Sequence, residues 1–205
     1  MKYLVAVATL AVSGSAYADH YLHTSTSQVD HRWGIGLRMT SQGLSNESDA
    51  EDNLHLGGGG LQVRWRFAPR WGVELTMEGL RADLYDGAYQ RELENSTVAV
   101  SYHWTPYSRW DWSVLAGIGG TDDTVIYRRS DGTMAEETAS EVNFMLGIGL
   151  ERRWTHIGVG IELRAVGYAR TDEEEPEDYD SATDYRAIPN SQSAGQFNLH
   201  ATYYF

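Results

Sequence analysis

From Trp33 onward, apolar and polar side chains take turns. Trp33, Ile35, Leu37 and Met39 are interleaved with Gly34, Gly36, Arg38 and Thr40, and seven further stretches repeat the pattern: 61–67, 71–78, 97–104, 110–119, 142–151, 157–165 and 196–205. A period of two sends successive side chains to opposite faces of a strand, whereas an amphipathic helix needs apolar residues three and four apart. That helical spacing is nowhere sustained. The chain is therefore read as all-β, with about eight strands, an even number such as a closed transmembrane barrel of one chain requires.

The amino terminus fixes the route. Lys2 gives a positive start, Tyr3 to Val12 an apolar segment, and Ala16-Tyr17-Ala18 a small-x-small cleavage site, which together read as a secretory signal peptide over 1–18. Residues 19–30 are expected to form a periplasmic lead-in and residues 31–205 the folded domain. The net charge is −13 and becomes −14 once Lys2 is removed, which argues against a nucleic-acid partner. There is no cysteine, so disulfides, thiolate metal sites and thiol nucleophiles are excluded. No mature stretch reaches the ~18 apolar residues of a membrane helix, so any crossing must be made by strands.

The connections alternate in length. Residues 67–70, 105–109 and 153–156 make short turns, while 45–53, 83–92, 121–140 and 170–193 are long, polar and rich in Asp and Glu. That is the asymmetry of short periplasmic turns and long acidic extracellular loops, and it puts both mature termini on the periplasmic side. All seven tryptophans, Trp33, Trp65, Trp71, Trp104, Trp110, Trp112 and Trp154, fall at or beside the short-turn ends. An aromatic girdle at a membrane interface explains this; a soluble sandwich does not.

The polar stripe decides which face meets lipid. It carries Arg38, Arg64, Arg66 and Arg164 against Glu74, Glu78, Asp111, Glu151 and Glu162, with many glycines between them. An Arg facing lipid at mid-depth costs roughly 2–4 kcal/mol, so the stripe is placed inside, where an eight-stranded tube has just enough room for its own side chains. Charges of both signs can then pair, and the expected lumen is filled and salt-bridged. Arg152 breaks the parity and is expected to snorkel at the periplasmic end.

These features resemble the small eight-stranded outer-membrane β-barrel proteins, typified by the membrane domain of outer membrane protein A and by outer membrane protein X. The resemblance covers residues 31–205 in architecture. It implies that the terminal strand, with Phe197, Leu199, Ala201, Tyr203 and Phe205 alternating outward, is an assembly signal read by the barrel assembly machinery. No periplasmic domain is expected after the barrel, so peptidoglycan binding is not carried over.

Reactive groups are sparse. Ser101 and His103 share the inner face of the fourth strand with Glu74 nearby, the residue types of a hydrolytic triad. In the lipid A deacylases, which use them, His precedes Ser by two residues near the extracellular end; here the order and the end are reversed, so polar lumen filling is the preferred reading. The acidic run containing Asp172, Glu173, Glu174 and Glu175 offers oxygens for a hard cation but lacks a Ca²⁺-loop spacing, and is read as a solvated loop. Gly57 to Gly60 is read as a flexible stretch or bulge. His20, His23 and His31 are too irregularly spaced for a metal site.

The sequence thus predicts a monomeric, closed antiparallel barrel in the outer membrane of a Gram-negative bacterium, surrounded by outer-membrane lipid and lipopolysaccharide, without a cofactor or enzymatic activity. Its expected role is structural or interactive, with a surface partner docking on the acidic loops. The alternatives are a narrow gated channel for ions or small solutes and a lipid A-modifying hydrolase.

Overall fold

A computed structural model describes residues 32–45, 54–84, 89–128, 132–170 and 191–205. The signal peptide, the lead-in with its histidines, and the acidic run at 172–175 lie outside the described residues. Eight strands follow in order: β1 (Trp33–Ser45), β2 (Leu54–Ala68), β3 (Trp71–Leu84), β4 (Tyr89–His103), β5 (Trp110–Arg128), β6 (Met134–Arg153), β7 (Ile157–Arg170) and β8 (Ser191–Tyr204). Each pairs antiparallel with the next, and β1 pairs with β8 to close the barrel. Closure satisfies the backbone between strands and removes sheet edges, which a lipid environment demands. No helix of the described residues is long and apolar enough to cross a membrane.

Burial inverts the pattern of a soluble core. Leu37, Met39 and Leu146 are 66%, 67% and 67% exposed, while Arg38 and Thr40 between them are 3% and 4% exposed. The register holds this parity around the tube: Ile35 sits opposite Val63 on one side and Tyr203 on the other. A slip of one residue would send a whole stripe of charge into lipid, so the register is strongly specified. Its one irregularity in β2 and β3 lies between Arg66 and Ala68, beside the turn into Trp71.

The lumen is mostly polar, with apolar side chains interposed, most of them toward the end with the longer connections. There Leu44, Leu56, Leu80 and Leu93 converge inward, and beyond them Tyr89, Val125 and Ala139 form a second small cluster.

Three sequence expectations are corrected. The stretch 121–140, expected to be a long polar loop, is mostly strand: β5 runs to Arg128 and β6 begins at Met134. Alternation vanishes there because the outer face turns polar above the apolar band, yet the pairing persists, with Ser140 donating to Asp122 at 2.8 Å and the Thr124 and Thr138 hydroxyls 3.0 Å apart. For the same reason the connection expected over 83–92 shortens, β3 ending at Leu84 and β4 starting at Tyr89. Gly57 to Gly60 is likewise no bulge: the four glycines pair in unbroken register with β1 and β3.

Candidate functional site

The lumen is organised around Arg64 of β2. Its Nε donates to Glu74 of β3 at 2.6 Å, its Nη1 to Glu151 of β6 at 2.6 Å and its Nη2 to Glu162 of β7 at 2.5 Å. One guanidinium thus ties four strands across the tube, using the planar fork of donors that distinguishes Arg from Lys. Arg164 adds a second tie, reaching Glu74 at 2.5 Å and Glu162 at 2.6 Å. Arg38 lies 3.3 Å from Glu78, 3.5 Å from Glu74 and 3.6 Å from Glu162. Around Glu151 gather Arg153 at 2.9 Å, the His200 ring nitrogen at 3.2 Å and the Tyr204 hydroxyl, which donates at 2.9 Å. Arg38, Arg64, Arg153 and Arg164 balance Glu74, Glu78, Glu151 and Glu162, so no net charge is stranded in a low-dielectric interior.

Glycine makes this packing possible. Gly60 is the cross-strand neighbour of both Arg38 and Glu78; Gly147 faces Arg164, Gly149 faces Glu162, and Gly160 lies between Glu151 and His200. A Cβ on Gly160 would come within 2.6 Å of His200 Nε2, and one on Gly158 within 2.7 Å of the Glu151 carboxyl carbon. Long charged side chains and bare backbone therefore alternate around the tube, filling a lumen too narrow for two large residues side by side.

A separate cluster closes the short-turn end. Arg66 pairs with the buried Asp111, and Asp111 Oδ2 also lies 2.9 Å from His103 Nδ1. Ser101 Oγ is 3.1 Å from His103 Nε2. The Ser–His pair expected from the sequence is thus in contact, but its carboxylate is Asp111; Glu74 is committed to the guanidiniums of Arg38, Arg64 and Arg164. Arg66 Nη2 also stands 2.9 Å from His103 Nδ1, competing with Asp111 for that nitrogen. The void beside these groups measures about 20 Å³, room for one water with several polar partners and none for an acyl chain.

All nine charged residues singled out in the sequence point into the tube. The sequence reading missed a further cluster toward the opposite end: Arg91 of β4 holds Asp123 of β5 with two hydrogen bonds, and Gln192 reaches Asp123 at 3.2 Å and Glu141 at 3.3 Å. Asp123 and Arg91 keep the inward parity of Asp111 and Ser101, so the parity, extended past the apolar stretch, would have found them. Tyr168 donating to Gln42 at 3.1 Å was missed in the same way.

On the outer wall, Trp33, Trp71, Trp104, Trp110, Trp112 and Trp154 are exposed at the short-turn end. Trp65 is half-buried and stacks on Trp33 with ring centres 5.6 Å apart. Arg152, expected to snorkel, is exposed at the short-turn end and lies over the rings of Trp110 and Trp154, at 5.4 and 5.2 Å. Phe197, Leu199, Tyr203 and Phe205 face outward along β8, and Phe205 and Trp33 exchange backbone hydrogen bonds. Among the described residues no group of three His, Asp or Glu is placed to hold a metal.

A family model described as the outer membrane protein beta-barrel domain matches residues 4–205. No curated protein matches the sequence. Solved structures share the fold at low identity. Neisserial surface protein A aligns over 84% of this chain and 97% of its own with a TM-score of 0.57 and 7% identity. Ail, the attachment invasion locus protein of Yersinia pestis, aligns over 85% and 99% with a TM-score of 0.54 and 12% identity. A major outer membrane protein from Thermus thermophilus covers 85% of this chain and 100% of its own, with a TM-score of 0.51 and 13% identity.

Proposed function

The chain belongs to the family of outer membrane protein β-barrel domains, and from that premise we propose that it serves as a closed, surface-presenting element of the Gram-negative outer membrane rather than as an open pore. The observation behind this reading is Arg64, whose three ion pairs bridge β2, β3, β6 and β7 and obstruct the short-turn half of the lumen. The apolar inward cluster of Leu44, Leu56, Leu80 and Leu93 closes it again nearer the other end. With the short turns in the periplasm, what remains for function is the outer surface and the extracellular rim. That rim carries exposed Asp83, Glu94, Asp122 and Glu136 against Arg81 and Arg128, and the sequence between β7 and β8 holds four more acidic residues at 172–175. A partner docking there is expected to be cationic or bridged by cations. Lipopolysaccharide surrounds the same rim, and β8 is the element offered to the barrel assembly machinery.

A narrow channel is the second reading, favoured by the polar side chains that line the lumen between Asp111 and Asp123; opening of the Arg64 pairs would gate it. Planar-bilayer recording separates the two. The closed reading predicts no steady conductance for the wild type, and none for Glu74→Ala or Arg64→Ala, because the leucine cluster still closes the tube. Stepwise conductance that rises in either variant would establish the gate. Hydrolysis fits less well, since Arg66 engages the Asp111 carboxylate and the void beside Ser101 admits only water.

A further inference from the structure

Among the described residues, the exposed side chains of the short-turn end carry a charge opposite to that of the whole chain. Arg32, Arg70, Arg109 and Arg152 are all exposed there, in a protein of net charge −13, and none forms an ion pair with a described residue. The acidic side chains described at this end, Asp111 and Glu151, are 1% and 6% exposed and are turned into the lumen. Each of these arginines sits beside the tryptophan ring: Arg32 precedes Trp33, Arg70 precedes Trp71, Arg109 precedes Trp110, and Arg152 lies on the outer wall of β6 between the indoles of Trp110 and Trp154. Arg70 is further oriented by a hydrogen bond to the Tyr102 hydroxyl at 3.0 Å.

Two physical consequences follow. The Arg152 guanidinium lies within cation–π range of two indoles, and from there its planar N–H donors can reach an oxyanion. Tryptophan settles at the depth of lipid headgroups, so these donors lie where phosphodiesters lie. No acidic side chain of the described rim competes for them.

We propose that this rim is a binding surface for anionic glycerophospholipid headgroups of the leaflet that contacts the short turns, with Arg152 and its neighbours Trp110 and Trp154 as its principal phosphate site and Arg70 and Arg109 as its flanks. The inference rests on the barrel reading above and names the lipid class selected at one end of it. Charge complementarity selects the occupant: a zwitterionic headgroup brings the phosphate together with a cation that these arginines repel, whereas phosphatidylglycerol brings the phosphate alone.

The tryptophans themselves report the outcome. The full mature protein is reconstituted in phosphatidylcholine vesicles containing brominated phosphatidylglycerol, and separately in mixtures where the phosphatidylcholine is brominated instead; the two quenching curves yield a relative binding constant. A preference of about fivefold for phosphatidylglycerol is expected, falling as salt is raised and dropping to near one in the triple variant Arg70→Gln/Arg109→Gln/Arg152→Gln. Arg152→Gln alone should remove most of it. Equal quenching by the two lipids in the wild type overturns the proposal while leaving the barrel intact, and a preference that survives in the triple variant overturns the assignment to these arginines. Absence of quenching by either lipid takes the tryptophans out of the bilayer and overturns the barrel reading as well.

Discussion

Arg64→Met is expected to lower the unfolding free energy of the protein in lipid by about 3–5 kcal/mol, the usual cost of removing one partner from a buried charge network. The magnitude follows from what is left behind. Arg64 is the shared donor of Glu74, Glu151 and Glu162, and its loss leaves Arg38, Arg153 and Arg164 facing the four carboxylates of Glu74, Glu78, Glu151 and Glu162 in a space that admits little water. The thioether fills much of the vacated volume but donates nothing. If the loss comes from uncompensated charge rather than from packing, Glu151→Gln added to Arg64→Met should recover part of it, although Glu151→Gln alone destabilises. Urea titration of all four proteins in vesicles closes this cycle. Additive losses would show that Arg64 and Glu151 are independent, contrary to their 2.6 Å contact.

Leu146→Arg should be nearly as costly, by roughly 2–4 kcal/mol, because Leu146 stands two-thirds exposed in the middle of the apolar band. On the surface of a water-soluble sandwich the same exposed position would tolerate arginine with little change. Thr138→Arg supplies the control: Thr138 is exposed on the same strand and the same face, above the band, and its substitution is expected to cost no more than about 1 kcal/mol. The difference between two arginines on one strand measures the depth of the lipid, with the chemistry of the side chain held fixed.

Much of this architecture was legible in the sequence because one physical signal, parity, repeats in all eight strands. Arg38 between Leu37 and Met39, or Glu162 between Ile161 and Leu163, fixes both faces at once, since neither charge nor leucine tolerates the other's side. The signal fades where the strand leaves the membrane. Around Asp122, Thr124 and Thr138 the outer face becomes polar, the contrast between faces is lost, and a paired strand reads like a loop. Arg91 and Asp123 were missed for that reason, although they continue the inward parity. The lumen's wiring was legible only in part: sequence brings Arg64 and Glu74 onto one face, but that Glu151 and Glu162 converge on Arg64 from the opposite wall depends on closure of the tube. Asp111 rather than Glu74 completes the Ser101–His103 contact for a related reason. Asp111 lies just beyond the short turn that follows His103, while Glu74 sits deeper in the tube among arginines.

The central claim is that the apolar stripe faces lipid and the charged stripe faces the lumen, and side-chain labelling tests it directly. The chain has no cysteine, so single substitutions at Ile35, Gly36, Leu37, Arg38, Met39 and Thr40 each give one unique attachment point for a nitroxide. In vesicles, Ile35, Leu37 and Met39 are expected to show high collision rates with oxygen, which concentrates in the bilayer. Gly36, Arg38 and Thr40 are expected to be shielded from oxygen and from a water-soluble nickel chelate alike. The opposite alternation, with Leu37 shielded and Arg38 open to the chelate, would place the leucines in a closed core and the arginines in water, and would contradict the account.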